Sequence, residues 1–285
     1  MTTTTALDPR WAAVLAGLSR GWIETRQTFT QIPTLLTHWF APVTYVLLLL
    51  FLRRFTLPGT HFSLGMTMLP GFLSLMIIMG GICSPTGGIT ADREDGTLLR
   101  AKATPNGMLA YLVGKIVMCA LTTLLSFVVI LVAGILIASD LTLDARTWLL
   151  LTLVFVVGMV STVPMGVALG SIMKGAQALL VFFGTMLIIV VSDFLPITLL
   201  PTWLQWLVRA FPAYWVGLGT RSALLPAEMV AAEIDKWRAV EMFVVPGVWA
   251  AIGLLLAPIL LRRMARRQSG SALARVRERI RSRGF

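Results

Sequence analysis

The sequence predicts an all-α integral membrane protein with six transmembrane helices, an N-terminal interfacial helix, and a re-entrant outer segment between helices five and six. Three observations lead there. Of 285 residues, 57% are hydrophobic and only 13% charged, with a mean hydropathy of +0.84; soluble domains hold about 45–50% apolar and about 25% charged residues. Six apolar stretches reach the roughly 20 residues that a helix needs to cross a hydrocarbon core of about 30 Å. The basic residues, finally, gather on one side of those stretches.

Residues 1–32 come first. Met1–Thr30 lacks the short apolar core and small-residue cleavage site of a signal peptide, so the first span is expected to insert and stay. Trp11, Val14, Leu15, Leu18 and Trp22 recur at helical spacing, with Arg20, Glu24 and Arg26 towards another face. Two Trp residues on the apolar face predict a helix lying in the membrane interface; a short soluble packing helix is the alternative.

The transmembrane domain, residues 33–261, comes next. Its spans are expected at Pro33–Leu52, Leu64–Gly88, Met108–Ala138, Thr147–Gly170, Ala178–Pro196 and Met242–Leu261. The second carries Pro70, Gly71, Gly80, Gly81, Pro85, Gly87 and Gly88, and the fourth Gly158, Pro164, Gly166 and Gly170. Such residues serve close helix packing or hinges, and composition does not separate the two. Between spans five and six, residues 195–237 begin apolar but broken by Pro196, Pro201, Pro212 and Arg209, with Trp203, Trp206, Tyr214 and Trp215. No run there is long enough to cross, so short helices dipping into the outer leaflet are expected, then a polar stretch at Ala227–Arg238. Residues 262–285 form a basic tail.

Six spans place both termini on one side. If that side is cytoplasmic, 17 of the 24 Lys and Arg lie inside and 7 outside, as the preference of basic loops for the cytoplasm requires. The formal +11 then sits on the inner face and needs no nucleic acid. The tail Arg275–Arg283 is expected to meet anionic lipids; binding to nucleic acid or a partner is the alternative.

Several chemistries find little support. Cys83 and Cys119 form no CxxC pair or metal-type cluster, and His38 and His61 stand alone as packing residues. The span interiors lack Asp, Glu, Lys and Arg, which weakens a secondary carrier. Lys115 and Asp193 fall at span ends, where snorkelling or interfacial solvation accounts for them. An intramembrane serine protease needs a His beside its Ser; Ser171 in ALGSIMKG has no His after it in the sequence. There is no GxxxxGK[ST] phosphate loop, so any ATP must be bound by another polypeptide.

One connection is dense in polar residues: Ala91–Lys115, ADREDGTLLRAKATPNGMLAYLVGK. Asp92, Glu94 and Asp95 precede Arg100 and Lys102, the order that suits a short helix with acids at its positive end. Thr104-Pro105 stops it, because the residue before Pro leaves the α region, and Asn106-Gly107 completes the break. A knob of this kind at 91–107 could dock in a partner's cleft; a plain solvated loop is the alternative.

The run Arg93-Glu94-Asp95-Gly96-Thr97-Leu98-Leu99-Arg100, then Thr104-Pro105, then Gly114-Lys115, resembles the hallmark of type-2 ABC exporter permeases. In that family a stretch like E-(E/K/R)-G-T-L-E-x-L…T-P…G-K forms the cytoplasmic coupling helix seated on the ATPase subunit. Leu99 stands where the family often has Glu, which removes or replaces one polar contact. Leu200-Pro201-Thr202-Trp203-Leu204-Gln205, with Arg209 and Pro212, resembles the re-entrant outer segment of drug- and antibiotic-exporting members. The resemblance implies ATPase coupling through Arg93, Glu94, Asp95, Gly96, Thr97, Leu98, Arg100, Thr104 and Pro105. It implies an outer segment built on Pro201, Trp203, Arg209 and Pro212. It further implies no cofactor on this chain, ATP and Mg²⁺ in partner ATP-binding subunits, and a second permease copy, identical or paralogous. The expected task is export of a hydrophobic or amphiphilic compound across a bacterial inner membrane, with both termini cytoplasmic. A carrier or channel not driven by ATP, and an intramembrane enzyme, are the alternatives.

Overall fold

Backbone groups in hydrocarbon must be satisfied within their own segment, and the chain meets that demand with helices. A computed structural model describes residues 8–56, 63–137, 143–173, 177–195, 197–226, 238 and 240–282. The expected polar stretch at 227–237, Lys174, Pro196 and His61 lie outside the described residues, as do the side chains beyond Arg266. The helices are α1 (Pro9–Thr30), α2 (Ile32–Leu52), α3 (Leu64–Ile78), α4 (Ser84–Glu94), α5 (Thr97–Ala103), α6 (Gly107–Ile137), α7 (Ala145–Ile172), α8 (Gln177–Ile189), α9 (Thr202–Ala210), α10 (Pro212–Leu224) and α11 (Glu241–Ser282). Among the described residues there is no strand, only an isolated bridge between Thr56 and Ser63.

Six helical segments are long and apolar enough to cross a membrane: Ile32–Leu52, Leu64–Glu94, Gly107–Ile137, Ala145–Ile172, Gln177–Phe194 and Glu241–Leu261. They match the expected spans to within a few residues, with two differences. The second continues to Glu94 because nothing ends it before Gly96. A π-helical turn over Met79–Cys83, closed by the Ser84 amide on the Met79 carbonyl, precedes Pro85, which then stands in the first turn of α4, where its missing N–H costs least. The sixth runs on without a break as α11, so the helix continues into the basic tail through Ser282.

The α3–α4 and α7 segments are central, with 72% and 61% of their spans buried; α2, at 11%, is peripheral. Close approach between the central helices rests on small residues. Gly158, Thr162, Gly166 and Gly170 recur every fourth position along α7. A side chain at Gly166 would run into the Ile82 carbonyl and the Pro85 ring, while Thr86 donates its hydroxyl to the Gly166 carbonyl at 3.0 Å. Gly80 and Gly81 leave room for Thr123 of α6 and Thr162 of α7 on either side of the π turn. The glycines therefore work as packing positions. Asp144 caps α7, accepting from the Thr147 amide at 2.8 Å and hydroxyl at 2.7 Å, which holds its carboxyl below the usual range.

α1 packs along the start of α6 through Ala13, Gly17, Gly21 and Thr25. Gly17 meets Ala110 and Val113, and Gly21 meets Gly114 and Val117. The Trp11, Leu15, Leu18 and Trp22 side chains stay exposed. At the other end, α9 and α10 form a helical hairpin. α10 is buried almost throughout among α3, α7 and α11, whereas Trp203 and Trp206 on α9 are exposed. The turn is pinned by Trp249 Nε1, donating to the Ala210 carbonyl at 2.7 Å, and by Trp215 Nε1, donating to the Arg209 carbonyl at 2.7 Å.

Candidate functional site

The corner joining α4 to α6 is built by two residues in left-handed backbone conformation. Gly96, at φ +73°, ends α4 and opens α5; Asn106, at φ +54°, ends the turn after α5. Gly carries no Cβ penalty there, and Asn is among the few side chains that tolerate the region. The break falls later than the charge order implied. Asp92 and Glu94 occupy the last turn of α4, and Asp95 caps it, so these acids are not the first turn of the short helix. Two carboxylates near the negative end of α4 are unfavourable alone, and Arg93 and Lys115 compensate them locally.

α5 is held from below. Leu98 is 0% exposed and Ala101 9%, in the apolar cluster that also contains Tyr111 and Met264. Thr104 donates its hydroxyl to the Ala101 carbonyl at 2.9 Å, and the Gly107 amide donates to the Thr104 carbonyl at 3.0 Å. Asn106 Nδ2 donates to the Pro9 carbonyl at 3.2 Å, tying the corner to α1. Glu94, Asp95, Arg100, Thr104 and Pro105 face outward; Gly96 and Thr97 are half-buried. The expected coupling set thus divides into an outward face and an inward anchor.

Arg93 belongs to the anchor. Its Nη1 donates to the Met173 carbonyl at 2.8 Å, and its Nη2 faces the carbonyls of Gly170 at 2.7 Å and Ser171 at 3.3 Å and the Met264 sulfur at 2.8 Å. It therefore caps α7, whose last carbonyls lack partners within their own helix. Asp92, one residue earlier, turns the opposite way, to Lys115 Nζ at 2.8 Å and the Tyr111 hydroxyl at 2.7 Å.

The sequence reading sets Lys115 in the Gly114-Lys115 pair of the motif but expects it to reach water from a span end. It does not snorkel: it is 5% exposed, with Asp92 and, at 3.6 Å, Glu24 of α1 around its ammonium. Nothing in local sequence signals this, because the two acids arrive from other helices. Asp193 is buried as well, not solvated at an interface. It sits in a π-helical turn after α8, its carboxylate against Gly217 and its carbonyl accepting from Arg221 Nη1 at 3.2 Å. Of the outer set, Pro201 precedes α9, Trp203 is exposed, the Arg209 carbonyl holds Trp215, and Pro212 starts α10 inside the bundle.

Ser171 donates to the Val167 carbonyl at 2.8 Å. His38 instead meets Ser126 at 3.2 Å, but its Nε2 also lies 3.3 Å from the Thr122 carbonyl. Ser126 also donates to the Thr122 carbonyl at 3.2 Å, so these contacts join α2 to α6. An apolar crevice of about 200 Å³ opens among the π turn, α7, α8 and the start of α10, lined by Ile78, Ile82, Leu169, Val181, Ile188 and Phe211.

The profile of the ABC-2 family transporter proteins matches residues 53–261, well over half of the chain. The chain belongs to that family. No match was found among curated proteins. As an ABC-2 permease it is the multi-pass membrane subunit of an ABC transporter and not itself the ATPase. Such subunits work with ATP-binding subunits. The matched region holds the whole corner and the α9–α10 hairpin, and it begins just after α2.

Proposed function

We propose that this ABC-2 permease exports a hydrophobic or amphiphilic compound, driven by ATP that partner subunits hydrolyse with Mg²⁺ at its cytoplasmic face. The corner is where those partners push. The observation that carries the reading is the build of α5: a short helix between two left-handed residues, fixed underneath by Leu98 and Ala101, with Glu94, Asp95 and Arg100 outward. A rigid knob passes displacement on, where a loop would absorb it. Asp92 and Arg93 carry that displacement to both halves of the bundle. The apolar crevice beside the π turn suits an apolar cargo, and a second permease copy would complete the path. Both termini are cytoplasmic in this reading, and Arg263 and Arg266 of α11 face anionic headgroups.

The test is docking. Glu94→Arg reverses an exposed charge and is expected to leave insertion intact while the ATPase no longer co-purifies with the permease in mild detergent. Retained ATPase would make the corner an ordinary loop. The buried charges at Lys115 and Asp193 are what a carrier would offer instead. They lie towards the two ends of the bundle, and a carrier would move cargo in vesicles without ATP.

A further inference from the structure

The Gly114-Lys115 pair closes the corner's motif yet has no place on its outward face. Lys115 Nζ lies 2.8 Å from Asp92 Oδ2 and 3.6 Å from Glu24 Oε2. Tyr111, 1% exposed, donates its hydroxyl to the same Asp92 oxygen at 2.7 Å. Arg20 bonds Glu24 at 2.6 Å and lies over the Tyr111 ring at 4.9 Å from its centre. A side chain at Gly88 would come within 3.1 Å of the Lys115 nitrogen, so the glycine keeps space for the ammonium. Two cations and two carboxylates from α1, α4 and α6 thus balance in one half-buried group with the Lys115 ammonium at its enclosed centre. Separating them would leave that ammonium uncompensated away from water, which resists any sliding of α1 over α6.

We propose that Lys115 is a positioning residue that fastens α1 to the corner, so that α1 travels with α5 as one body when the ATPase closes. The proposal rests on the reading that the corner docks the ATPase. Three ties at successive heights support it: Asn106 to Pro9, the Gly17 and Gly21 stripe against α6, and the Lys115 group at Glu24. A helix held at three points along its length neither rotates nor slips. Its Trp11 and Trp22 face would then drag through its surroundings with each stroke.

Hydrogen–deuterium exchange on the full chain, in complex with its own ATPase in lipid nanodiscs, tests this with and without a non-hydrolysable ATP analogue. In the wild type, exchange in residues 9–30 is expected to change together with exchange in 97–107. Asp92→Asn with Lys115→Met removes one charge of each sign and leaves Arg20–Glu24 balanced. In that variant 97–107 is expected still to respond while 9–30 does not, with the ATPase still bound. Lys115→Arg, which keeps the charge, is expected to retain the wild-type pattern. Tyr111→Phe removes only the bond to Asp92 and is expected to weaken the response of 9–30 in the same direction, should the double variant fail to fold. A double variant whose α1 still follows α5, or a wild type whose α1 stays silent while α5 responds, overturns the proposal. A wild type in which 97–107 itself is silent removes the docking reading, and this inference with it.

Discussion

Asp92 and Arg93 are neighbours in sequence and bind opposite halves of the bundle, one to α6 and one to the end of α7. Both sit on the last turn of α4, where successive side chains point about 100° apart, so a single turn serves two directions. Arg93→Lys tests the second. A lysine ammonium cannot reproduce a planar fork spread over the carbonyls of Gly170, Ser171 and Met173. The variant is expected to keep the ATPase but lose about 1–2 kcal/mol of stability, read as a lower melting temperature in detergent. The motif marks Arg93 as important from sequence alone; what it cannot say is that the residue points inward, since its acceptors are backbone groups that exist only where α7 ends. The burial of Lys115 fails to stand out for a related reason. A lysine near the end of a span ordinarily reaches water, and only tertiary packing brings Glu24 and Asp92 to it.

At the level of helices, the existence and rough bounds of the spans are legible in length and composition. The irregularities are not. The π turn at Met79–Cys83 precedes Pro85, and the burial of α10 depends on α3, α7 and α11 closing around a segment whose Trp, Tyr and Pro content reads as interfacial. The small-residue stripe of α7 is visible as composition, but its purpose is not. Gly166→Leu discriminates packing from hinging: a Cβ there already meets the Ile82 carbonyl and Pro85. Overpacking of this contact is expected to cost about 1–3 kcal/mol, seen as a lower melting temperature of the permease alone. A hinge glycine would leave the melting temperature near wild type and impair only transport.

Over the whole molecule, Arg93, α5 and the middle of α11 gather at one end, and Asp144, Met66 and the end of α10 at the other. The proposed orientation puts the first of these ends in the cytoplasm. Single cysteines read it directly. Asp95→Cys is expected to react with an impermeant maleimide only in inverted vesicles, and Leu199→Cys, 74% exposed, only in intact cells. The reverse pattern would invert the permease. In the proposed coupling, one junction would decide where motion at the corner goes. A lone extended residue, Gln31, separates α1 from α2, so the two helices share a coupling with no slack. α2 is also the span least clasped by its neighbours. A tug that begins beneath the bilayer would therefore surface first as a swing of this outermost pole, the one whose apolar flank meets whatever stands beside the protein in the membrane.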